Sequence, residues 1–146
     1  MTTLTPELRQ AFAHTQYHAL HHPTPFLLQV GQPQPALNPI YQQHQTDCVC
    51  LLTAFNPMGE LLDKEENIER HAQLSRALHA AGYALIPAVA QHPTNGWPAE
   101  PGFLVIGMGK DDAQQWAAQW EQLAVVWCGA DTVAHIVETA VPGWMR

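Results

Sequence analysis

The sequence predicts an α+β fold: a ferredoxin-like (βαββαβ) core carrying an N-terminal helix and β-hairpin extension. Three observations lead there. From Cys48 to Cys128 the patterns read strand, helix, strand, strand, helix, strand, which is the split βαβ order. The runs DCVCLLTAF and GFLVIGM are apolar on both faces, as strands at the centre of a sheet are. The segment Gln91 to Pro101 has no helical pattern, so it offers no crossover for a doubly wound α/β sheet, which is the alternative fold class. The expected organisation is one domain over residues 1–146: residues 1–45 the helix and hairpin extension, 46–130 the core, 131–146 a C-terminal helix and tail.

Each element follows from local chemistry. Thr5-Pro6-Glu7 is a helix start, with Thr as cap, Pro at the first helical position and an acid in the first turn. Leu8, Ala11, Phe12 and Thr15 form its inward stripe. Beyond Tyr17 two readings compete. A continued helix would align His14, His18, His21 and His22 as a metal face. Pro23 and Pro25 favour instead two strands, YHAL and FLLQV, joined by the turn HHPTP, and no metal site is expected. Asn38-Pro39 opens a short helix through His44. Asp63 and Glu66 make a capping box for a helix that ends at Gly82. YALIPAVA is strand-like, and Pro87, which cannot donate to a ladder, assigns it to an edge. Asp111 with Gln114 caps the next helix, whose Ala113, Trp116, Ala117 and Trp120 recur at helical spacing. AVVWC is the last strand, and Gly129, Asp131 and Thr132 read as the start of a short terminal helix.

Composition narrows the partners. Charged residues make up 13% of the chain, net charge is −7, and six Lys or Arg are scattered along it. Nucleic-acid backbones and anionic membranes call for clustered cations, so neither is an expected partner. No apolar stretch approaches the roughly 18 residues of a membrane-spanning helix. The start MTTLTPELRQAF has no apolar region after a basic cap, so no signal peptide is expected. Cys48, Cys50 and Cys128 all sit in apolar runs, consistent with reduced, buried thiols and a cytoplasmic setting. GMGK lacks the rest of a phosphate loop, no GxSxG or HExxH is present, and no cofactor is implied.

One helix breaks its own pattern. At 100° per residue, Ile68, His71, Leu74, Ser75 and Leu78 share an arc of roughly 100–120°, with Asn67 inside it and Arg70 at its flank. The inward face is thus apolar in its C-terminal half and polar in its N-terminal half. Buried polar groups without partners cost about 1–3 kcal/mol each, so these side chains must meet something. In a ferredoxin-like layout the Asn56-Pro57 strand exit, the start of this helix and the loop QHPTNGWPAEPG share one sheet edge. Asn56, Asn67, Arg70, His71, Trp97 and Glu100 are therefore the candidate ligand-binding residues. Glu100 and His71 are the candidates for acid–base chemistry. Either they line a pocket for a small polar or anionic molecule, or they are structural, with Arg70 and Glu100 pairing, in a protein-interaction or regulatory module.

The words GQPQPAL, TAFNP, ENIERHAQL, WPAEPGFLVIG and AVVWCGAD, in that order, resemble an uncharacterised bacterial family, domain-of-unknown-function family 3293. The resemblance runs from about Tyr17 to Asp131. Its signature words fall on Thr53, Asn56, Pro57, Asn67, Arg70, Trp97, Glu100 and Pro101. It implies no activity, but it marks the same edge and favours the hairpin at Tyr17.

Overall fold

The computed structural model describes residues 4–139. The N-terminal cap forms as expected: Thr5 Oγ1 accepts from Leu8 N at 3.1 Å, and helix α1 spans Pro6–His14. The hairpin β1 (Gln16–Ala19) and β2 (Phe26–Leu28) follows, then α2 (Leu37–His44) and β3 (Val49–Leu52). A 3-10 turn at Pro57–Gly59 leads to α3 (Lys64–Ala80), whose cap Asp63 accepts from Glu66 N at 2.9 Å. The chain ends with β4 (Ala84–Gln91), β5 (Glu100–Ile106), α4 (Lys110–Gln119), β6 (Ala124–Cys128) and β7 (Ala134–Glu138).

The strands form one seven-stranded sheet in the order β2-β1-β4-β5-β3-β6-β7, and every pair of strands is antiparallel. This overturns both fold expectations. A doubly wound sheet needs parallel neighbours. A small ferredoxin-like core would stop at four strands, whereas here the sheet continues at both edges and curls into a half-barrel. The N-terminal hairpin is not an appendage: β1 pairs with β4 from Gln16↔Gln91 to Ala19↔Ala88. At the other edge β7 pairs with β6, where a terminal helix was expected. The curl brings the ends of the sheet together, with bridges at Val30↔Ala134 and Pro33↔Val133.

Two local signals misled the sequence reading. Asp131 Oδ1 accepts from Val133 N at 3.0 Å, a turn that uses the same side-chain chemistry as a helix cap. Thr132, at φ 63, then redirects the chain into a strand. Pro87 lies in a strand that is interior over Ala88–Gln91, where β1 covers it, and an edge before that. Pro87 O accepts from Leu20 N at 2.8 Å, so its ring nitrogen also faces the side where β1 ends, and no ladder bond to β5 is lost. At α4 the cap is Gly109, with no side-chain bond, while Asp111 and Asp112 occupy the first turn.

Alternation along the strands builds a core on each face. On the outer, convex face Cys50, Leu52, Phe103, Val105 and Val125 pack under Leu74 and Leu78 of α3 and Ala113 and Ala117 of α4. Burying each of those leucines contributes about 1.5–3 kcal/mol. On the inner face Tyr17, Val49, Leu104 and Val126 meet Leu37, Ile40 and Tyr41 of α2. Leu28 and Ala134, from opposite edges of the sheet, belong to this second cluster, which identifies it as the concave side. Leu8 and Phe12 of α1 pack near Leu123 and Ala124 on the same side. No helix among the described residues is long and apolar enough to cross a membrane.

Gly102 lets β3 leave the sheet where it does. A Cβ there would sit 2.6 Å from Leu52 O and 3.2 Å from the Thr53 Cβ, while Thr53 Oγ1 donates to Pro101 O at 2.8 Å. Gly102→Ala is expected to cost about 1–3 kcal/mol by overpacking against backbone, measured as a lowered urea midpoint. An unchanged midpoint would mean the strands separate freely at this point.

Candidate functional site

The site begins where β3 ends. Asn56 adopts a left-handed backbone (φ 49, ψ 64), a conformation that Asn tolerates better than branched residues. It is held there from all sides. Asn56 N donates to Asn67 Oδ1 at 2.8 Å, and Asn67 Nδ2 returns a bond to Asn56 Oδ1 at 2.8 Å. Leu62 N donates to the same Oδ1 at 3.0 Å. The remaining Asn56 group, Nδ2, donates to Glu100 Oε2 at 2.7 Å. Trp97 Nε1 donates to that same oxygen at 2.9 Å. Glu100 Oε1 receives no hydrogen bond among the described residues. Burial raises the Glu100 carboxyl above its ordinary value, against the opposing pull of the Asn56 and Trp97 donors.

Four of the six expected residues thus form one hydrogen-bonded chain, Asn67–Asn56–Glu100–Trp97. Asn67 and Asn56 are almost fully buried. Ile68, expected on the inward stripe, is 51% exposed, because α3 turns Asn67 toward the strand exit. Arg70 does not pair with Glu100. Its Nε donates to Ala54 O at 2.7 Å, Nη2 to Trp120 O at 2.7 Å and Nη1 to Glu121 Oε1 at 3.4 Å. The guanidinium carbon also lies 5.9 Å from the centroid of the Trp120 ring. His71 stacks on Phe103 at 4.6 Å and meets Phe55 edge-on. Phe103 and Glu100 differ by odd and even position along β5, so His71 and Glu100 belong to opposite faces of the sheet.

Below Glu100 on the concave face is a cavity of about 190 Å³, lined in part by Asn56, Trp97 and Glu100. Its floor follows from register. Tyr17 pairs with Ala90 and Ala90 with Glu100, so one row across three strands carries a large, a small and a large side chain. The next row pairs Ala88 with Gly102. Small residues thus leave a trough that α1 roofs with Leu8, Ala11 and Phe12. Tyr17, buried, donates its hydroxyl to Phe12 O at 3.3 Å, tying floor to roof. Burial pushes its phenol up, and the nearby Glu100 charge adds to the effect. Asn67, Arg70 and His71 do not line this cavity.

A family model described as "Protein of unknown function (DUF3293)" matches residues 52–125, slightly more than half of the chain. The chain belongs to that family. No curated protein and no solved structure matches it. The DUF3293 span runs from the last residue of β3 into β6, so it holds all six candidate residues, while Tyr17 and α1 lie before it.

Sequence reasoning missed the floor and the roof of the hollow. Ala88 and Ala90, two positions apart on YALIPAVAQ, were a readable sign that one face of this strand is thin. Phe12 and Tyr17 gave no sign of facing Glu100, because only the strand register brings them near. Among the described residues no group of three or more His, Cys, Asp or Glu is placed to hold a metal ion, and the three cysteines are free and buried. Burial raises the thiols of Cys48, Cys50 and Cys128, away from the reactive thiolate.

The two residues outside the hollow have separable consequences. Removing Arg70 leaves two carbonyls without their charged donor, so Arg70→Ala is expected to cost about 2–3 kcal/mol in chemical denaturation. Arg70→Lys should recover little of it, since a point charge cannot span both acceptors. His71 Nδ1 is buried and has no partner among the described residues, and burial lowers its pKa from the ordinary 6.5. The folded state therefore favours neutral imidazole. The stability tied to that neutral form is present above pH 6.5 and is lost as pH falls below 6.5 toward the folded value. His71→Phe keeps the aromatic contact with Phe103, and a gain of about 1 kcal/mol is expected at pH 7.5. That gain should widen at pH 5.5 in paired thermal melts, and a gap that narrows there would contradict the assignment.

Proposed function

We propose that this domain binds a compact, mostly apolar small molecule in the hollow beneath α1, with the polar head of the ligand at Glu100. The observation that carries this reading is the cavity of about 190 Å³ with a half-buried carboxylate on its wall, both of whose protein donors meet one oxygen. An apolar cavity of about 150 Å³ is enough to take up benzene, so the space suits a substituted ring or a branched chain of similar bulk. A mostly apolar lining with a few convergent polar groups is the usual composition of such a site.

Backbone strain points the same way. Asn56, Met58 and Glu121 all have positive φ, and Met58 N donates to Glu121 O at 2.7 Å, so the strained residues cluster beside the hollow's rim. Each such residue costs of order 1–3 kcal/mol, and strain of that kind concentrates at functional sites. A polar ligand fits this setting better than an anionic one. Arg70, the cation on this edge, already has three protein acceptors, and no Lys or Arg is among the described residues lining the hollow. Binding is the part that the geometry supports. For a reaction, Glu100 is the acid–base group in position and His71 is not.

A second reading, a protein-interaction module, has one observation in its favour: Leu61 and Ile68 are 58% and 51% exposed beside the braced strand exit. The two readings separate in a thermal-shift screen of ring-sized fragments against the wild type and Ala90→Leu. Leucine at position 90 fills the gap between Tyr17 and Glu100. Fragments that raise the wild-type melting temperature are expected to lose their effect on the variant, whose own stability shifts by about 1–3 kcal/mol or less. Hits that persist on Ala90→Leu would remove the hollow as the binding site. Loss of binding by Leu61→Ser and Ile68→Ser in a pull-down with a partner protein would favour the second reading.

A further inference from the structure

The lining of the hollow has a charge it does not balance. Glu100 is the single Asp, Glu, Lys or Arg among the described residues that line it; His92 also lines it, its Nδ1 accepting from Thr94 N and Asn95 N at 3.1 Å. The other described cations on nearby elements have partners of their own: Arg9 pairs with Glu138 at 2.5 Å, and Arg70 with Glu121 and two carbonyls. The carboxylate is also only half satisfied. Both of its protein donors, Asn56 Nδ2 and Trp97 Nε1, converge on Oε2, which fixes the plane of the group and leaves Oε1 to one side. A carboxylate drawn half out of water is stabilised where a cation and hydrogen-bond donors complete it. Here the donors are supplied by the protein, and among the described residues no Lys or Arg supplies the cation.

An aromatic side chain adjoins the carboxylate, its ring edge toward Oε2. The Trp97 indole is held to Glu100 through its N–H, with 36% of the residue exposed, and Tyr17 lies at the far end of the same row of side chains. Between them Ala90, and Ala88 with Gly102 in the next row, leave room for an apolar body. The row therefore has an anionic end with an adjacent ring and an apolar middle. A cation at such a carboxylate gains a charge-assisted hydrogen bond.

We propose that the ligand of this hollow is a primary amine with a compact hydrocarbon body, its ammonium donating to Glu100 Oε1 beside Trp97 and its body lying over Ala88 and Ala90. The proposal rests on the pocket reading above and narrows it to one chemical class. An alcohol matches the hydrogen bond without the charge. A carboxylic acid sets like charge against like, and a hydrocarbon leaves the carboxylate as it is. A lysine side chain presents the same ammonium. The free amine is favoured because a hollow of about 190 Å³ has the volume for a ring, which a single thin lysine chain would leave unfilled.

The test is an NMR titration of the protein at neutral pH with benzylamine, benzyl alcohol, benzoate, toluene and N-acetyl-lysine-N-methylamide. Benzylamine is expected to bind tightest, by about tenfold or more over benzyl alcohol, with shifts at Ala88, Ala90, Trp97 and Glu100. Glu100→Gln keeps an acceptor for Asn56 and Trp97 but removes the charge. It is expected to weaken benzylamine by about tenfold while leaving benzyl alcohol within about threefold. Equal binding of benzylamine and benzyl alcohol, or tighter binding of benzoate, would overturn the amine assignment while leaving the pocket intact. Tighter binding of the lysine derivative than of benzylamine would overturn the free amine in favour of a peptide. If none of the five probes perturbs the hollow, the amine assignment fails. The fragment screen on Ala90→Leu then decides separately whether the pocket reading fails with it.

Discussion

The pair of amides at Asn56 and Asn67 is the interaction on which the rest of the site depends. Asn56 is left-handed and precedes a proline, a position that prefers extended backbone, so its conformation has to be imposed by its surroundings. Asn67 imposes it, accepting from the Asn56 backbone and donating to its side chain in one reciprocal contact between buried groups. The strand exit, the 3-10 turn and the first turns of α3 are locked in a single geometry as a result. The leftover Asn56 donor then points at Glu100. A helix that buried isoleucine instead of Asn67 would gain apolar burial, and would leave the strand exit and the carboxylate without their partners.

Around this lock the sheet is asymmetric. Its convex face is filled by leucines and alanines of two helices against branched and aromatic strand residues. Its concave face is filled at one end by α2 and is thin at the other, where Ala88, Ala90 and Gly102 follow one another across adjacent strands. Curling the sheet narrows this side, so a short helix such as α1 suffices to roof it. The result is a hollow with backbone-rigid walls and a roof that contributes no fully buried residue of its own. Arg70 works behind the wall. By bonding to Ala54 O and Trp120 O it ties the exit of β3 to the end of α4, which holds the rim in place without entering the cavity.

Glu100 stands apart from a structure that is otherwise economical with charge. A neutral residue would satisfy the same two donors, and burial works against the ionised form. Under the proposed binding role, the group sits where function opposes stability. The neighbouring positive-φ residues belong to the same pattern, local strain held in place by the lock and by Arg70.

How much of this was legible depended on whether the signal was local. Caps, prolines and continuous apolar runs are short-range, and they identified α1, the hairpin, α3 and the strands from Cys48 to Cys128. Polar residues at apolar positions also spoke for themselves: Asn67 in a core stripe had to meet a partner, and Asn56, Trp97 and Glu100 were drawn to it. Where two structures share one local signal the reading failed, as at Asp131, whose side chain starts a turn into β7 in the way it would start a helix. The limits of the sheet were not legible, because β1 and β7 extend it through pairings with β4 and β6 that no local pattern records. By itself the sequence determined most of the elements, β7 excepted, and brought Asn56, Asn67, Trp97 and Glu100 to one edge. Only the tertiary structure decided that Arg70 braces, that His71 faces away, and that alanines on one strand and a glycine on the next add up to a cavity. Those outcomes are set by strand register and sheet curvature, which arise from contacts between residues far apart in the chain.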